Sequence, residues 1–474
     1  MQTFEPRVHT VAVIGAGFTG AMVAVNLLRM AKVPTRILLV ERYGRFSAGV
    51  AYGTSFDEHL LNVPAGRMSA FPDDGENFQR WAQERDATIS GGAFVPRRLY
   101  GAYLADQLDR AESANPDSRL VRLTAEARNV TREGASRWNI ELSNGAVNAA
   151  DAVVLSIGNY EPANPPVADP RFYETARYAR DPWATGALDV PATAPVLLLG
   201  TGLTMLDIAI ALRTRGHSGP IHALSRRGLL PQPHRESAGA PPAHARPTDL
   251  ATWPRTASGL LRALRREVTL AECNGVDWRE VVTSIRHCTS TLWQTLSVEE
   301  RRRFLRHLRS YWETHRHRSA PATAARIDAM QSSGQLKVHK ARVVAYQQQG
   351  DLVDVVVQPR AATDAQTLSV ARVINCTGPD SNIARVRDPL VQNLLAQHLI
   401  RPDALGLGLD TDASGTLLNA DGALNENLLL VGPLRKGQLW ENTAVPELRV
   451  EASQMAAQLA QLGVTTIAGT PVLA

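Results

Sequence analysis

The feature that most restricts the fold is an order of elements that occurs twice along the chain. The first copy begins at Val11 with the apolar strand "VAVIGAG", followed by a helix through Leu28 and a second strand, "RILLVER". The second copy begins at Val196 with "VLLLGTG", followed by a helix through Leu212 and the strand "IHALSRRG". A strand, a glycine turn and a helix open a dinucleotide-binding unit. The repeat therefore predicts two such units in an α/β fold.

Each copy continues into a ribbon of three strands. Alternating apolar residues and an Asn-Gly turn indicate "LVRLTAEARNVTR", "WNIELSNG" and "DAVVLSIGNY" in the first copy. The second copy has "QLKVHKARVVAYQQ", "LVDVVVQP" and "ARVINCTG". Both ribbons end with an apolar strand and a glycine, Gly158 or Gly378. We expect two Rossmann-like domains, each with three layers in a ββα arrangement.

The first glycine motif, "GAGFTG", has its glycines at Gly15, Gly17 and Gly20, with Thr19 between the last two. The first glycine permits a tight turn, the second lets the backbone approach a pyrophosphate, and the third lets helix and strand pack closely. Glu41 ends the second strand, where a carboxylate accepts hydrogen bonds from ribose hydroxyls and repels a 2′-phosphate. This pattern predicts a site for FAD or NAD; a tight turn alone is the alternative.

The second motif, "GTGLTM", keeps Gly200 and Gly202 but has Met205 in place of the packing glycine. We expect this change to move the helix slightly outward without removing the anion site. Leu203 and Thr204 begin that helix, so their N–H groups would face the pyrophosphate.

The next strand of the second copy ends in Ser225, Arg226 and Arg227 instead of an acid. Guanidinium groups bind a 2′-phosphate in bidentate fashion, and such charge-assisted bonds are worth roughly 1.5–3 kcal/mol each. The sequence therefore predicts an NADPH site that includes Gly378, with at least about a tenfold preference for NADPH over NADH. Two ordinary surface arginines are the alternative.

The chain has 474 residues and a net charge of +5, and much of the excess lies in "EERRRFLRHLRSYWETHRHR". Such a segment could bind nucleic acid or an anionic substrate. The favoured interpretation is a solvated helix that buries Phe304, Leu305, Leu308 and Trp312 at helical spacing. No nucleic-acid-binding motif accompanies the segment, so we expect no nucleic-acid partner.

Several classes of protein are disfavoured by what the sequence lacks. No apolar run approaches the roughly 20 residues of a membrane span, and "MQTFEPRVHT" has no secretory hydrophobic region. We therefore expect a cytoplasmic protein without a membrane partner. Cys273, Cys288 and Cys376 lie far apart, which disfavours a redox dithiol. The histidines show no metal-ligand spacing, so no metal is expected.

With these motifs in view, the chain resembles the two-dinucleotide-binding-domain flavoproteins. The likeness rests on "GAGFTG", "SIGNYEP", "GTGLTM", "INCTGPDSN" and "LLLVGPL". It implies an NADPH domain inserted into a split FAD domain. The FAD domain would comprise residues 1–190 and 379–474, and the NADPH domain residues 191–378. A mainly helical insertion would occupy about 229–333.

A closer similarity links the chain to a FAD/NAD(P)-binding family that includes bacterial N-hydroxylating and nitro-forming flavoenzymes. It is carried by "GVAYGTSFDEHLLNVPAGRMSAFPDD", "FVPRRLYGAYL", "SRRGLLPQPH" and "WENTAVPELR". The resemblance implies that His59, Asn62, Val63 and Pro64 lie along the isoalloxazine ring of FAD, and that Arg97 and Tyr100 lie near the flavin or its substrate. It also implies FAD contacts by Ala127 through its backbone and by Glu447 at the start of the last helix. The remaining FAD contacts that it implies are Arg42, Gly158 and Gly432.

The two sites together predict transfer of hydride from NADPH to FAD, and with the resemblance the favoured hypothesis is a flavin monooxygenase. In it NADPH reduces FAD, O₂ gives a C4a-hydroperoxyflavin, and a small amine- or carboxylate-bearing substrate is oxygenated, with N-hydroxylation favoured. Asn62 and Glu441 are the candidate catalytic groups, and structural polar roles are their alternative. Two other functions stay open: an NADPH-dependent reductase that passes electrons to a quinone or carrier protein, and a non-enzymatic flavin sensor.

Overall fold

The computed structural model describes residues 8–134, 137–235, 247, 250–360 and 362–468. Most of the proline-rich start of the insertion lies outside these residues. The first third of the chain forms the elements β1 (His9–Ile14), α1 (Phe18–Met30), β2 (Thr35–Glu41), α2 (Gly49–Tyr52), α3 (Asn77–Gln83), α4 (Arg97–Ala114), β3 (Arg119–Thr124), β4 (Ala127–Glu133), β5 (Arg137–Leu142), β6 (Val147–Ala150) and β7 (Ala152–Leu155).

The middle of the chain forms a second set of strands and helices. They are β8 (Tyr178–Ala179), β9 (Val196–Leu199), α5 (Leu203–Thr214), β10 (Ile221–Ser225), α6 (Ala257–Cys273), α7 (Trp278–Ser284), α8 (Thr289–Gln294), α9 (Val298–His307), α10 (Arg309–Arg316), α11 (Pro321–Ser332), β11 (Leu336–Gln349), β12 (Leu352–Pro359), β13 (Gln366–Val370) and β14 (Arg372–Asn375). The last part forms α12 (Pro389–Ala396), β15 (Thr416–Leu418), β16 (Leu424–Leu430) and α13 (Val445–Ala468).

The first sheet has the strand order β15-β16-β7-β1-β2-β3, and all its pairs are parallel except β15–β16. Strands β1 and β7 are almost wholly apolar and buried, as expected for central parallel strands covered on both faces. Helices α1, α4 and α13 cover one face. The ribbon β4-β5-β6 and α12 cover the other. This is the predicted three-layer ββα arrangement.

The second sheet has the order β13-β12-β11-β10-β9-β14-β8. Helices α5 and α11 cover one face. Strand β11 pairs in parallel with β10 and continues into an antiparallel ribbon with β12 and β13, which packs on the other face. Because β16 and α13 return to the first sheet after the second one is complete, the first domain is split by the second, as predicted. Strand β8 pairs with β14, so the second sheet already includes Tyr178–Ala179, ahead of residue 191.

The ribbons differ from the sequence prediction in their strand limits. The first predicted strand is divided at Ala125, whose N–H donates to the Glu41 carbonyl, so β3 lies in the parallel sheet and only β4 in the ribbon. The strands β7 and β14 also belong to the parallel sheets, and β6 and β13 complete the ribbons. These apolar strands are buried on both faces, which a ribbon strand is not.

Helices α6 to α10 form the part of the insertion that leaves the second sheet. They contact the last third of the chain through a small core in which Trp293 and Leu296 pack with Leu407 and Trp440. Phe304, Leu305 and Trp312 of the arginine-rich segment are partly buried against this core. The segment is therefore helical and buries an apolar stripe, in line with the favoured interpretation.

Candidate functional site

The first glycine turn lies where β1, β7 and α1 meet. Gly15 has φ +97°, and a Cβ there would overlap the Ser156 carbonyl. A Cβ on Gly20 would overlap the Gly15 carbonyl oxygen. Gly17 is different, because the nearest atom to its Cβ position is the Gly49 Cα at 3.9 Å. Backbone contacts thus require a glycine at positions 15 and 20, whereas Gly17 leaves space beside the start of α1.

Helix α1 begins without a side-chain cap, and its N-cap residue is Gly17. The first intrahelical bond runs from Ala21 N to Gly17 O (2.9 Å), so the preceding N–H groups, including that of Thr19, have no helical acceptor. Four helices, α6, α7, α9 and α12, do close their first turns with a side chain, as Asp388 does for α12. An uncapped helix start beside open space fits a pyrophosphate.

Glu41 lies at the end of β2, as the sequence predicts. Its Oε2 accepts hydrogen bonds from Tyr43 N (2.6 Å) and Arg45 N (2.9 Å). Oε1 has no partner among the described residues and is the oxygen that a ribose hydroxyl would use. Arg42, in contrast, already forms an ion pair with Asp388 (3.1 Å). Ala127 begins β4 directly after the bend beside Glu41.

The second glycine turn repeats this geometry with one difference. Gly200 has φ +101°, and its Cβ would lie 2.5 Å from the Cys376 carbonyl oxygen. No atom lies within 4 Å of a Cβ on Gly202 in the described structure. Met205 is fully buried in the core beneath α5, and its N–H donates to Gly202 O (3.0 Å). Leu203 and Thr204 form the uncapped start of α5.

The three residues at the end of β10 have different surroundings. Ser225 Oγ bonds to Thr201 Oγ1 (2.8 Å) and accepts from Gly228 N (2.9 Å), so it fixes the loop. Arg227 donates to His307 O (3.2 Å) and its guanidinium lies 4.6 Å from the Tyr311 ring centre. Arg226 is exposed and has no ion-pair partner within the described chain. Arg226 is therefore the arginine best placed to meet a phosphate.

The segments after β7 and β14 join the two domains. Gly158 (φ +70°) and Gly378 (φ +85°) each have open space at the Cβ position. Beyond them, Tyr160 and Asp380 form an antiparallel bridge. The segments that follow β7 and β14, the last parallel strands of the two nucleotide-binding units, therefore meet at this bridge.

A buried network connects α5 to the loop before α4. Arg97 forms an ion pair with Asp207 Oδ2 (2.8 Å) and donates through Nε to Leu60 O (3.0 Å). His59 bonds to Thr54 Oγ1 (2.7 Å) and to the Asp207 carbonyl (3.1 Å). Burial lowers the pKa of His59, which favours a neutral ring. The sequence interpretation missed Asp207, although an acid on the apolar helix "LTMLDIAIAL" was a visible signal.

Of the neighbouring residues that the resemblance places at the flavin, Asn62 and Pro64 face the second domain or a cleft, whereas Val63 and Tyr100 pack in the first core. Asn62 O accepts a hydrogen bond from His234 Nε2 of the second domain (2.9 Å). Val63 packs against the first core, and Pro64 lines a cleft. Tyr100 is fully buried among aromatic rings, with the Tyr52 ring centre at 4.7 Å, so it belongs to the core and not to a pocket.

Glu441 and Glu447 both contact the helical insertion. Glu441 is buried with φ +76° and accepts from Trp312 Nε1 (2.7 Å). Burial opposes its ionisation, but His317 and Arg316 beside it hold the Glu441 pKa well below its usual range. Glu447 forms a bidentate ion pair with Arg286. The contacts of Glu441 fit the structural alternative stated for it, and the ion pair of Glu447 is a contact that the sequence interpretation did not foresee.

Gly432 follows β16 with φ +103°, and its Cβ position lies 3.5 Å from Thr19 Oγ1, beside the start of α1. Its N–H donates to Glu451 Oε2 (3.0 Å), and Glu451 is held by Arg435 (2.8 Å). The backbone N–H of Gly432 is therefore used within the protein, which leaves its position next to Thr19 as the feature relevant to a cofactor.

Comparison with known proteins agrees with this geometry. A family model described as FAD-NAD(P)-binding matches residues 12–160. A solved ornithine N-hydroxylase from Kutzneria sp. 744 superimposes with a TM-score of 0.64, at 15% identity, over 96% of this chain and 100% of that one. The chain has the fold of the two-dinucleotide-binding-domain flavin monooxygenases. The ornithine hydroxylase of Pseudomonas aeruginosa gives a TM-score of 0.65 at 14% identity over 96% and 99%.

In sequence, the chain is 30% identical over 261 residues to an L-aspartate N-monooxygenase (nitrosuccinate-forming) of Streptomyces davaonensis. The match covers 45% of this chain and only 40% of that relative. The resemblance to a FAD/NAD(P)-binding family with N-hydroxylating members is thereby confirmed.

The described residues lack a membrane-spanning helix and a cluster of metal-ligating side chains. None of the helices there is long and apolar enough to cross a membrane. No group of three His, Cys, Asp or Glu side chains in that part of the chain is placed to hold a metal ion.

Proposed function

We propose that this protein is an FAD- and NADPH-dependent monooxygenase that N-hydroxylates a small amine carrying a carboxylate. One amine, one NADPH, one O₂ and one proton would give one hydroxylamine, one NADP⁺ and one water. One oxygen atom enters the N–H bond and the other leaves as water, while NADPH supplies two electrons. Because NADPH is the reductant, we place the reaction in the cytoplasm.

The observation that carries the proposal is the position of the segment 59–64. His59 contacts Asp207 on the nucleotide helix α5, and Asn62 contacts His234 at the edge of the insertion. The same segment precedes Pro64, which lines a cleft with residues of the insertion. A monooxygenase must bring a reductant and a substrate to one flavin, and this segment adjoins both candidate regions.

The residues present fit the two cofactors. The open space beside Gly17 and the free donors of α1 suit the FAD pyrophosphate, and Glu41 Oε1 suits its ribose. The equivalent space beside Gly202 and the exposed Arg226 suit NADPH. When bound, a reduced flavin supplies the electrons that activate O₂. The protein then needs to bind and orient the substrate and to shield the reaction from water.

The relatives support an amine substrate. The similar sequence is named for N-oxygenation of L-aspartate, and the similar structures for hydroxylation of ornithine. We therefore propose an amino acid as the substrate of this chain, with Asn62 as a polar group near the flavin. Glu441 would act indirectly, because its partners lie in the insertion.

The test is a coupled measurement on the flavin-loaded protein. NADPH consumption, O₂ consumption and hydroxylamine formation would be followed with and without a panel of amino acids. We expect all three to rise together with one class of substrate. Rapid reduction of a quinone by NADPH without any hydroxylamine from the panel would instead support a reductase. Failure of NADPH to reduce the flavin would exclude both enzymes and leave a sensor.

A further inference from the structure

A narrow cleft lies between the segment after Asn62 and the insertion. Among the described residues, three arginines line it, Arg67, Arg235 and Arg318, together with one acid, Glu280, and with Thr283. We call these residues the arginine cleft. Pro64 forms its wall on the side of the segment 59–64. Positive charges outnumber negative ones in this lining, so the arginine cleft suits an anion.

Arg318 distinguishes the arginine cleft from an ordinary charged surface. It is only 7% exposed, and its one described hydrogen bond is from a terminal nitrogen to Thr283 Oγ1 (2.7 Å). Its Nε is buried without a partner, and no ion pair to Arg318 exists within the described residues. A buried guanidinium without a directly paired carboxylate bears a desolvation cost, which the nearby Glu280 offsets only in part.

The arginines around Arg318 do have acids. Arg316 lies 3.2 Å from Glu441, Arg279 lies 3.2 Å from Asp277, and Arg286 is paired with Glu447. Arg318 thus differs from these three arginines, each of which has an acid within ion-pair distance. Burial and the neighbouring Arg316 and Arg279 lower the Arg318 pKa to about 10, so it remains charged at neutral pH.

His234 does not contribute a compensating or competing charge. Its Nε2 must carry the proton, because it donates to the Asn62 carbonyl. Burial, followed by the nearby Arg318, lowers the His234 pKa to about 3, so the ring stays neutral. The positive charge of the arginine cleft therefore comes from its guanidinium groups alone.

We infer that the arginine cleft binds the carboxylates of the substrate, with Arg318 as the principal anchor, and that the substrate is a small amine bearing two carboxylates. This inference rests on the proposed function for the role of the amine. One carboxylate pairs with Arg318 and a second with Arg235. Since Pro64 forms the wall beside Asn62, a substrate held this way extends its amine toward the segment 59–64.

The first experiment uses thermal unfolding of the flavin-loaded full chain with succinate, which has two carboxylates and no amine. A ligand that binds the folded state raises Tm. We expect succinate, but not succinamide, to raise the Tm of the wild type. In Arg318→Met the shift should disappear, and calorimetric titration should give at least about a tenfold weaker Kd. Without ligand, Arg318→Met should not lower Tm, because it removes an unpaired buried charge.

Two further variants keep this test decisive. Arg262→Met makes the same change at an exposed position of α6, outside the arginine cleft, and should respond to succinate like the wild type. Thr283→Val leaves every guanidinium in place but removes the bond that orients Arg318, so succinate should bind a few-fold more weakly. An equal Tm shift in wild type and Arg318→Met, or no shift in the wild type, would overturn the inference.

A second experiment separates this inference from the proposed function. Hydroxylamine formation would be compared for L-aspartate, L-glutamate and L-asparagine. Preference for the acidic amino acids that vanishes in Arg318→Met supports both proposals. Hydroxylation of amines without that preference contradicts the inference and leaves the monooxygenase intact. Succinate binding that depends on Arg318, without hydroxylation of any amine, supports the arginine cleft and contradicts the proposed function.

Discussion

The two nucleotide helices begin alike and differ in what surrounds them. In α1 every residue from Phe18 to Leu28 is buried, and Gly20 meets the turn so closely that a Cβ would overlap Gly15 O. In α5 the equivalent residue is Met205, whose side chain is buried in the core beneath the helix. The third glycine of the motif therefore determines how closely the helix packs on its turn, whereas the first two glycines form the anion site.

The largest expected effect tests this packing difference. Gly20→Met should leave no room between α1 and the turn, so the protein should lose FAD and most of its soluble yield. Met205→Ala should instead cost about 2–5 kcal/mol of stability, the usual cost of truncating a buried methionine, while NADPH still reduces the flavin. Visible flavin absorbance and urea unfolding measure the two outcomes. A yellow, stable Gly20→Met protein would contradict the comparison.

A pair of valine substitutions distinguishes the two sites by ligand. Gly17 and Gly202 have ordinary negative φ values and open space at the Cβ position, so valine should be tolerated by the fold. Gly17→Val should give a folded but colourless protein, because the side chain blocks the pyrophosphate. Gly202→Val should stay yellow and be reduced by dithionite but not by NADPH. Identical behaviour of the two variants would show that the sites are not separate.

Much of this comparison could be read from the sequence, because it depends on local patterns. Apolar strands, glycine turns and the acid or arginine after the second strand are all contiguous, and they predicted two domains of the correct layering. The contacts of Glu441 could not be predicted, because Arg316 is distant in sequence and meets it only through the fold. The same holds for Asp207 and Arg97. Propensity and spacing do not specify which distant charges become neighbours.

The next prediction concerns the ion pair between Arg97 and Asp207, through which α5 contacts the other domain. Asp207→Ala leaves Arg97 buried without its acid, and breaking a buried pair in this way costs about 3–5 kcal/mol. Asp189→Ala is the matched control, since Asp189 pairs with Arg215 at the same 2.8 Å but on the surface. Exposed pairs contribute only about 0–1 kcal/mol. Urea unfolding should therefore separate the variants, and equal losses would argue against a buried domain contact.

The smallest expected effect concerns nucleotide preference, for which Glu41 in the first site is replaced by Arg226 and Arg227 in the second. Arg226→Ala should raise the KM for NADPH about tenfold and barely change that for NADH, because only NADPH carries the 2′-phosphate. Arg227→Ala should have a weaker effect, since His307 O and the Tyr311 ring already hold that guanidinium. Steady-state kinetics with both nucleotides decide the point. If Arg227→Ala proves the more damaging, the ring contact must open when NADPH binds; if both nucleotides suffer equally, the phosphate lies elsewhere.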